Sequence, residues 1–372
     1  MNKYIIKINN KNDIIKMLFA ILLTSLTLSF AQYISFSSPS HDYVPFISLS
    51  FRNSNRPLNV PINTQISLTR FTSPTLDTFK DNCVSQHDYA YDCKGDIELN
   101  GKILLSNFNF SIPTKQMLSI DMRSFGIGVG YSFKDESLSF VHLLYKRKIV
   151  QRKEFSIQFG LNQMGNIHFG GKPSIAYPHS GYCNVKSDRW GCEIKKIYYG
   201  RKAYDFSIHA DFNTAIDNTI ESLQFFEFVS HNVIPSKRKS KQCEIFDDFD
   251  QKELLYCANG ALDDTENITF VFDNNLHISI PFKSLFISNG VSYFSKFSYD
   301  FYNLTRFEFG YSFFKLFNMT TFDYETSTVV FHSYDTAVNK KIQTYNMEYI
   351  YISIDIVCFI SIIFMCIIIQ SK

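Results

Sequence analysis

The stretch Phe46-Ile47-Ser48-Leu49-Ser50-Phe51 alternates apolar and polar side chains from Ile47 onward. This period of two places the apolar residues on one face of an extended chain, so it predicts a half-buried β-strand. Similar runs recur along the chain, and turn-forming residues such as Asn100-Gly101 separate them. We therefore expect further strands at 104–110, 155–159, 194–199, 268–272, 276–280 and 328–331.

The composition also favours an all-β chain. Among the 372 residues are 38 Phe and 22 Tyr, and such side chains suit pleated, half-buried strands. With 45% hydrophobic and 19% charged residues, the chain is not intrinsically disordered. The 37 Lys and Arg nearly balance the 35 Asp and Glu, which argues against a nucleic-acid partner. We expect only a few short helices, at 137–148, 221–229 and 313–317.

Residues 1–31 have the layout of a secretory signal peptide. Lysines between positions 3 and 16 precede an apolar run that extends from Met17 to Phe30. Ser29-Phe30-Ala31 is a small-x-small cleavage triplet. We therefore expect the chain to enter the secretory pathway; the alternative is that this segment stays in place as a membrane anchor.

A second apolar segment, at 349–369, is long enough to cross a bilayer as a transmembrane helix. It predicts a single-pass type I protein, with its main part on the lumenal or extracellular side and a juxtamembrane stalk at 341–348. The alternative is a GPI signal, because the small residues Asp335-Thr336-Ala337 lie about a dozen positions upstream of the tail. Both readings make a membrane one of the partners of this chain.

The cysteines fit an oxidising compartment. Six lie between the two apolar ends, and an even number there suggests three disulfides. Spacing favours Cys83–Cys93, Cys183–Cys192 and Cys243–Cys257, although fifteen connectivities are possible. Sequons for N-linked glycans occur at Asn109, Asn267, Asn303 and Asn318.

The part between the ends is large for one β-sandwich, and two β lobes fit it better. We place the N-terminal lobe at 32–180 and the C-terminal lobe at 181–340. No His spacing suited to a metal and no Gly-rich phosphate loop occurs in the sequence, so we expect neither a metal nor a cofactor.

Several segments match, in order, the motifs of one family. Ser124–Ser132 contains Gly-Ile-Gly-Val-Gly-Tyr, and 165–171 reads Gly-Asn-Ile-His-Phe-Gly-Gly. Further on, 190–197 begins Trp-Gly-Cys-Glu-Ile, 267–272 reads Asn-Ile-Thr-Phe-Val-Phe, and 309–315 reads Phe-Gly-Tyr-Ser-Phe-Phe-Lys. In this order they resemble the pepsin-like aspartic peptidases, which implies a bilobal acid-protease fold over nearly all of the part between the ends.

The resemblance implies a pair of catalytic Asp residues, one from an Asp-Thr/Ser-Gly motif in each lobe, that share a proton and activate a water. The first motif aligns with 58–67 and the second with 210–216, so the two positions are Asn63 and Asn213. An amide does not titrate in this range and cannot take the proton of a water. Thr64 and Thr214 match the threonines that cross-link the lobes in the family.

We therefore expect a membrane-anchored member of this family that lacks both catalytic Asp residues and acts as a pseudopeptidase. The cleft between the lobes is expected to bind a peptide or protein by strand-like pairing. Two alternatives remain open at this point. One is an active aspartic-type endopeptidase, and the other is a structural surface glycoprotein that makes no use of the cleft.

Overall fold

The computed structural model describes residues 34–38, 46–52, 57–71, 79, 83–87, 90–99, 102–113, 126–131, 139–159, 165–171, 180–216, 222–247, 253–258, 260–288, 292–295 and 307–333. These residues form mostly strands, with a few short helices, as the sequence predicted. In chain order the strands are β1 Ile34–Ser38, β2 Phe46–Phe51, β3 Leu58–Asn63, β4 Cys83–His87, β5 Ala90–Leu99, β6 Lys102–Pro113, β7 Ile127–Gly128, β8 Glu154–Phe159, β9 Gly165–Phe169, β10 Ser180–Asn184, β11 Gly191–Tyr199, β12 Lys202–Phe212, β13 Cys243–Asp247, β14 Glu253–Ala258, β15 Asn267–Phe272, β16 His277–Pro281, β17 Ile287–Ser288, β18 Ser292–Ser295, β19 Phe307–Phe309, β20 Phe317–Asp323 and β21 Thr328–Ser333. The α-helices are α1 Phe140–Lys146, α2 Leu223–Phe228, α3 Pro235–Lys239 and α4 Tyr311–Phe314, and a π-helix at Val229–Val233 and a 3-10 helix at Phe282–Leu285 accompany them.

Each half of the chain builds its own sheets. In the first half, strands β4, β5, β2, β3 and β7 lie side by side, and β6 pairs with β5. In the second half, one sheet has the order β16-β15-β11-β12-β19 and another has the order β13-β14-β18-β17. We call the sheet of β2 to β7 the first lobe and the two sheets of the second half the second lobe.

A six-stranded sheet joins the two halves. Its order is β1-β9-β8-β20-β21-β10, so strands from the beginning, middle and end of the chain lie in one layer. The central contact is the antiparallel pair β8 and β20, in which Phe155 lies opposite Phe322. The predicted lobe boundary at 180/181 falls at the first residues of β10, a strand of this shared sheet. The division into 32–180 and 181–340 stays a prediction.

The single tryptophan of the chain packs where the shared sheet meets both lobes. Trp190 is buried, and its ring centroid lies 5.3 Å from that of Phe322 and 4.8 Å from that of Tyr324. Its indole Nε1 donates a 2.7 Å hydrogen bond to the carbonyl of Val129, and the Tyr324 hydroxyl donates to the same oxygen at 2.7 Å. One first-lobe carbonyl is thus bonded from both the shared sheet and the start of β11.

The helices expected at 137–148 and 313–317 are shorter than predicted, whereas the one expected at 221–229 begins at Leu223 and continues as the π-helix to Val233. Helix α1 begins after Ser139 and buries Phe140, Val141 and Leu144, while Lys148 just beyond it lies at a φ of 57°. The helix expected at 313–317 instead spans Tyr311–Phe314, because β20 begins at Phe317.

The three predicted disulfides are confirmed. Cys83 faces Cys93 across the β4–β5 hairpin, and Cys243 faces Cys257 across the β13–β14 pair. The third bridge joins Cys183 in β10 to Cys192 in β11 and so connects the shared sheet to the second lobe.

The predicted signal peptide at 1–31, the stalk at 341–348 and the membrane segment at 349–369 lie outside the described residues. Within the ranges that the structure describes, no helix is both long and apolar enough to cross a membrane.

Replacing Trp190 by Leu should lower the free energy of unfolding by about 3 kcal/mol, because the change leaves a cavity and removes a buried hydrogen bond to Val129. Urea unfolding followed by far-UV circular dichroism measures this loss. Tyr182, whose exposure is 51%, offers the matched control: Tyr182→Leu should change stability by less than about 0.5 kcal/mol. Equal losses in the two variants would contradict the role given to Trp190.

Burial lowers the pKa of His168, in the shared sheet, to about 4. The unfolded chain therefore binds a proton at this residue between about pH 6.5 and pH 4 while the folded chain does not, so stability is lost as the pH falls through that window. In His168→Gln, the free energy of unfolding should fall by up to about 3 kcal/mol less over this pH range than in the natural chain. Urea unfolding at pH 7, 5.5 and 4.5 tests it, with the exposed His277→Gln as control. A slope unchanged in His168→Gln would disprove the expectation.

Candidate functional site

The two aligned Asn residues each lie at the end of a strand that pairs in parallel with a short neighbour. In the first lobe β3 ends at Asn63, which lies opposite Gly128 of β7. In the second lobe β12 ends at Phe212, opposite Phe309 of β19, and Asn213 comes next. The two halves therefore repeat one arrangement, and both Asn side chains are buried.

A reciprocal set of hydrogen bonds brings these strand ends together. The Thr64 hydroxyl donates to the carbonyl of Phe212 at 2.5 Å and accepts from the backbone N–H of Thr214 at 3.0 Å. The Thr214 hydroxyl donates to the carbonyl of Ile62 at 2.7 Å and accepts from the backbone N–H of Thr64 at 3.3 Å. We call these four bonds the threonine cross-link; it joins residues 150 positions apart.

The backbone beside each Asn fixes the direction of its amide. Asn63 Oδ1 accepts from the N–H of Gln65 at 2.9 Å, and Asn213 Oδ1 accepts from the N–H of Ala215 at 3.0 Å. Because an amide accepts only through its oxygen, the amino group of each Asn must point the other way. Where the resemblance implies carboxylate oxygens, this site places N–H donors.

Gln65 adds another bond between the lobes. Its side-chain Nε2 donates to the carbonyl of Phe212 at 3.0 Å, the same oxygen that the Thr64 hydroxyl contacts. The residue after Thr64 is therefore part of the connection between the two strand ends.

Two acidic side chains lie beside Asn213. Asp211 precedes it by two residues on β12 and is bound by Arg189 Nη1 at 3.6 Å and His209 Nε2 at 3.2 Å. Glu308 lies opposite Asp211 on β19, and its carboxylate accepts from Asn213 Nδ2 at 3.3 Å. No sequence motif marks Glu308, because only the parallel pairing of β12 with β19 brings it to this position.

Ser187, His209 and Asp211 contain the residue types of a nucleophilic triad, but their geometry differs from one. Ser187 Oγ lies 2.9 Å from His209 Nε2, and Asp211 Oδ1 lies 3.2 Å from the same nitrogen. In a triad the Ser and the Asp contact opposite nitrogens of the ring. These residues therefore form an ion-pair and hydrogen-bond cluster at the start of β11.

Two other kinds of candidate site, metal clusters and surface grooves, do not involve the two Asn residues. Among the described residues, no group of three or more His, Cys, Asp or Glu could hold a metal ion. An open groove of about 570 Å³ on the second lobe is lined by residues of β12 and α2, such as Tyr204, Asp205 and Glu227. It contains none of the residues at the threonine cross-link.

The four sequons differ in their accessibility. Asn109 and Asn267 are exposed, so a glycan could project from either of them. Asn318 is 7% exposed within β20, where the folded protein leaves little room for a glycan, and its glycosylation stays a prediction. Asn303 lies outside the described residues.

Comparison with known proteins supports the fold alone. No protein-family profile matches the sequence, and no curated protein matches it. Solved structures do match, and one of them is the crystal structure of the aspartic proteinase from Irpex lacteus. The two chains share 12% identity with a TM-score of 0.57, over 81% of this chain and 97% of that one. The expected pepsin-like architecture is therefore confirmed as a fold.

The threonine cross-link predicts a specific response to mutation. Thr64→Val and Thr214→Val should each cost about 2 kcal/mol, because each change leaves a buried carbonyl and a buried N–H without the hydroxyl. The double variant should lose less than the sum, since both changes act on one network. Urea unfolding of the three variants measures these losses.

Thr269→Val is the matched control, because that hydroxyl bonds Ser279 on the exposed face of a strand pair. It should change stability by less than about 0.5 kcal/mol. Losses at Thr64 and Thr214 no larger than this, or strictly additive losses, would contradict the cross-link.

Proposed function

We propose that this chain is a pepsin-like pseudopeptidase that binds a peptide or protein in the cleft between its lobes. It would act at the lumenal or extracellular face of a membrane, held there by its C-terminal segment. The fold supports a relationship to aspartic proteinases. The rest of the proposal is drawn from the residues of the site.

The observation that carries the proposal is the chemistry at positions 63 and 213. Two-carboxylate catalysis requires one group that takes a proton from water and another that gives a proton to the substrate carbonyl. Asn63 and Asn213 hold amides in fixed directions, and an amide performs neither proton transfer. Each amide carries two N–H groups, of which Asn213 already donates one to Glu308, and groups of this kind suit a binding role.

The hydrogen bonds around Asn63 and Asn213 favour a binding role over a complete loss of function. The threonine cross-link holds the two strand ends in register, although the groups it positions do not titrate. Preorganised donors are what a site needs to hold a peptide carbonyl without an entropic cost at the moment of binding. An extended peptide lying across the two lobes would add main-chain hydrogen bonds of the strand-pairing type.

Two observations support the proposed location in the secretory lumen or at the cell exterior. Three disulfides fit an oxidising environment such as the secretory lumen or the cell exterior. The apolar ends at 1–31 and 349–369 supply the proposed signal and the proposed anchor. A GPI anchor would place the lobes on the same side of the membrane.

The proposal predicts that the natural chain cleaves no protein by aspartic chemistry. The full chain, purified in mild detergent, should give no pepstatin-sensitive hydrolysis of fluorescently labelled casein between pH 3 and pH 6, while pepsin at the same concentration does. Pepstatin-sensitive cleavage by the natural chain would refute the non-catalytic role and favour an active endopeptidase.

Binding is measured on the same preparation by acid elution and mass spectrometry of co-purified peptides. Extended peptides should be recovered from the natural chain and reduced at least about tenfold in Asn63→Leu/Asn213→Leu, which removes the donors. His231→Ala, in the groove on the second lobe, is the control and should leave recovery unchanged. Equal recovery from all three proteins, or none from any, would favour a purely structural surface glycoprotein.

A further inference from the structure

A buried carboxylate, to which the proposed function gives no role, contacts one of the two amides of the site. Glu308 is 1% exposed, and its Oε2 accepts a hydrogen bond from Asn213 Nδ2 at 3.3 Å. Asn213 is therefore held at both ends, because its Oδ1 accepts from the N–H of Ala215. The direction of this amide is set by Glu308 as much as by the backbone.

The first lobe has no such carboxylate at the corresponding place. Asn63 lies opposite Gly128 in the β3–β7 pair, so the position two residues earlier, Gly126, corresponds to Glu308. A side chain cannot stand there: a Cβ on Gly126 would lie 2.6 Å from the Pro61 carbonyl oxygen and 2.9 Å from Asn63 Cβ. The two halves of the site share a backbone arrangement but differ in charge.

This asymmetry limits which residue position 213 can hold. An Asp at that position would put its carboxylate about 3.3 Å from that of Glu308, in the place of the donating amide. Two carboxylates this close cannot both ionise, so the pair would retain one proton between them. The introduced carboxylate would then share its proton with Glu308 and not with a residue of the first lobe.

We propose that Glu308 is a positioning residue that commits the second half of the site to an amide donor at position 213. It follows that Asn63→Asp/Asn213→Asp does not by itself recreate a working pair of aspartates. Recovery also requires that the carboxyl group of Glu308 be removed. This inference goes beyond the proposed binding role and does not depend on any ligand.

Among the described residues, Asp211 is the acidic residue that lies opposite Glu308, on the neighbouring strand. Arg189 Nη1 lies 3.6 Å and His209 Nε2 lies 3.2 Å from the carboxylate oxygens of Asp211. The exchange Asn213→Asp/Glu308→Gln keeps one carboxylate and one amide in contact, with the hydrogen bond reversed. The number of charges beside Asp211 therefore stays the same in this swapped variant.

The first test measures stability against pH without any ligand. In Asn213→Asp the shared proton raises the pKa of one carboxyl in the folded state, so stability present at pH 4.5 is lost as the pH rises. Its urea midpoint should fall by about 0.5 M more than that of the natural chain between pH 4.5 and pH 8. The swapped variant and Glu308→Gln alone should follow the natural chain.

The second test measures hydrolysis of labelled casein at pH 3 to 6. Asn63→Asp/Asn213→Asp/Glu308→Gln should be at least about tenfold more active than Asn63→Asp/Asn213→Asp, and its activity should be blocked by pepstatin. Measurable cleavage at equal rates by the two variants would overturn the proposal.

The stability test decides the matter even where no variant cleaves casein. If Asn213→Asp shows no more dependence on pH than the natural chain, or if the swapped variant shows as much as Asn213→Asp, then Glu308 does not position Asn213. Recovery of bound peptide from the natural chain answers the separate question of the proposed function.

Discussion

The threonine cross-link is the constraint on which the candidate site depends. Thr64 and Thr214 come from opposite halves of the chain, and each hydroxyl bonds both a carbonyl and an N–H of the other half. Separating the strand ends would leave these buried groups unpaired, at about 1–3 kcal/mol each. Asn63 and Asn213 directly precede the two threonines, so their placement beside each other follows from this network.

A second connection, away from the threonine cross-link, also holds the two halves of the chain together. The shared sheet pairs β8 with β20, and Trp190 fills the space between that sheet and the first lobe. The carbonyl of Val129, which Trp190 and Tyr324 both bind, lies one residue after β7, the strand that pairs with Asn63. Packing at the junction therefore also fixes the strand beside the site.

Local patterns predicted the elements well and the site only in part. The strand at 46–51 was predicted at its observed bounds because its residues alternate from Ile47 to Phe51. The helix at 311–314, in contrast, starts after Gly310, and the spacing of apolar residues does not mark that start. The positions of Asn63 and Asn213 came from motif order, without any pattern of their own. Glu308 was missed because its contact depends on a parallel pairing between strands about 100 residues apart, and no local period reports such a pairing.

Glu308 changes how the absence of aspartates at positions 63 and 213 should be interpreted. A pair of carboxylates works only while the two groups share one proton, so its activity depends on pH. An amide beside a carboxylate keeps the same hydrogen bond wherever that carboxylate is ionised, and it needs no shared proton. The second half of this site is therefore built for a fixed donor. We therefore expect the proposed binding role, unlike acid-dependent hydrolysis, to persist at neutral pH.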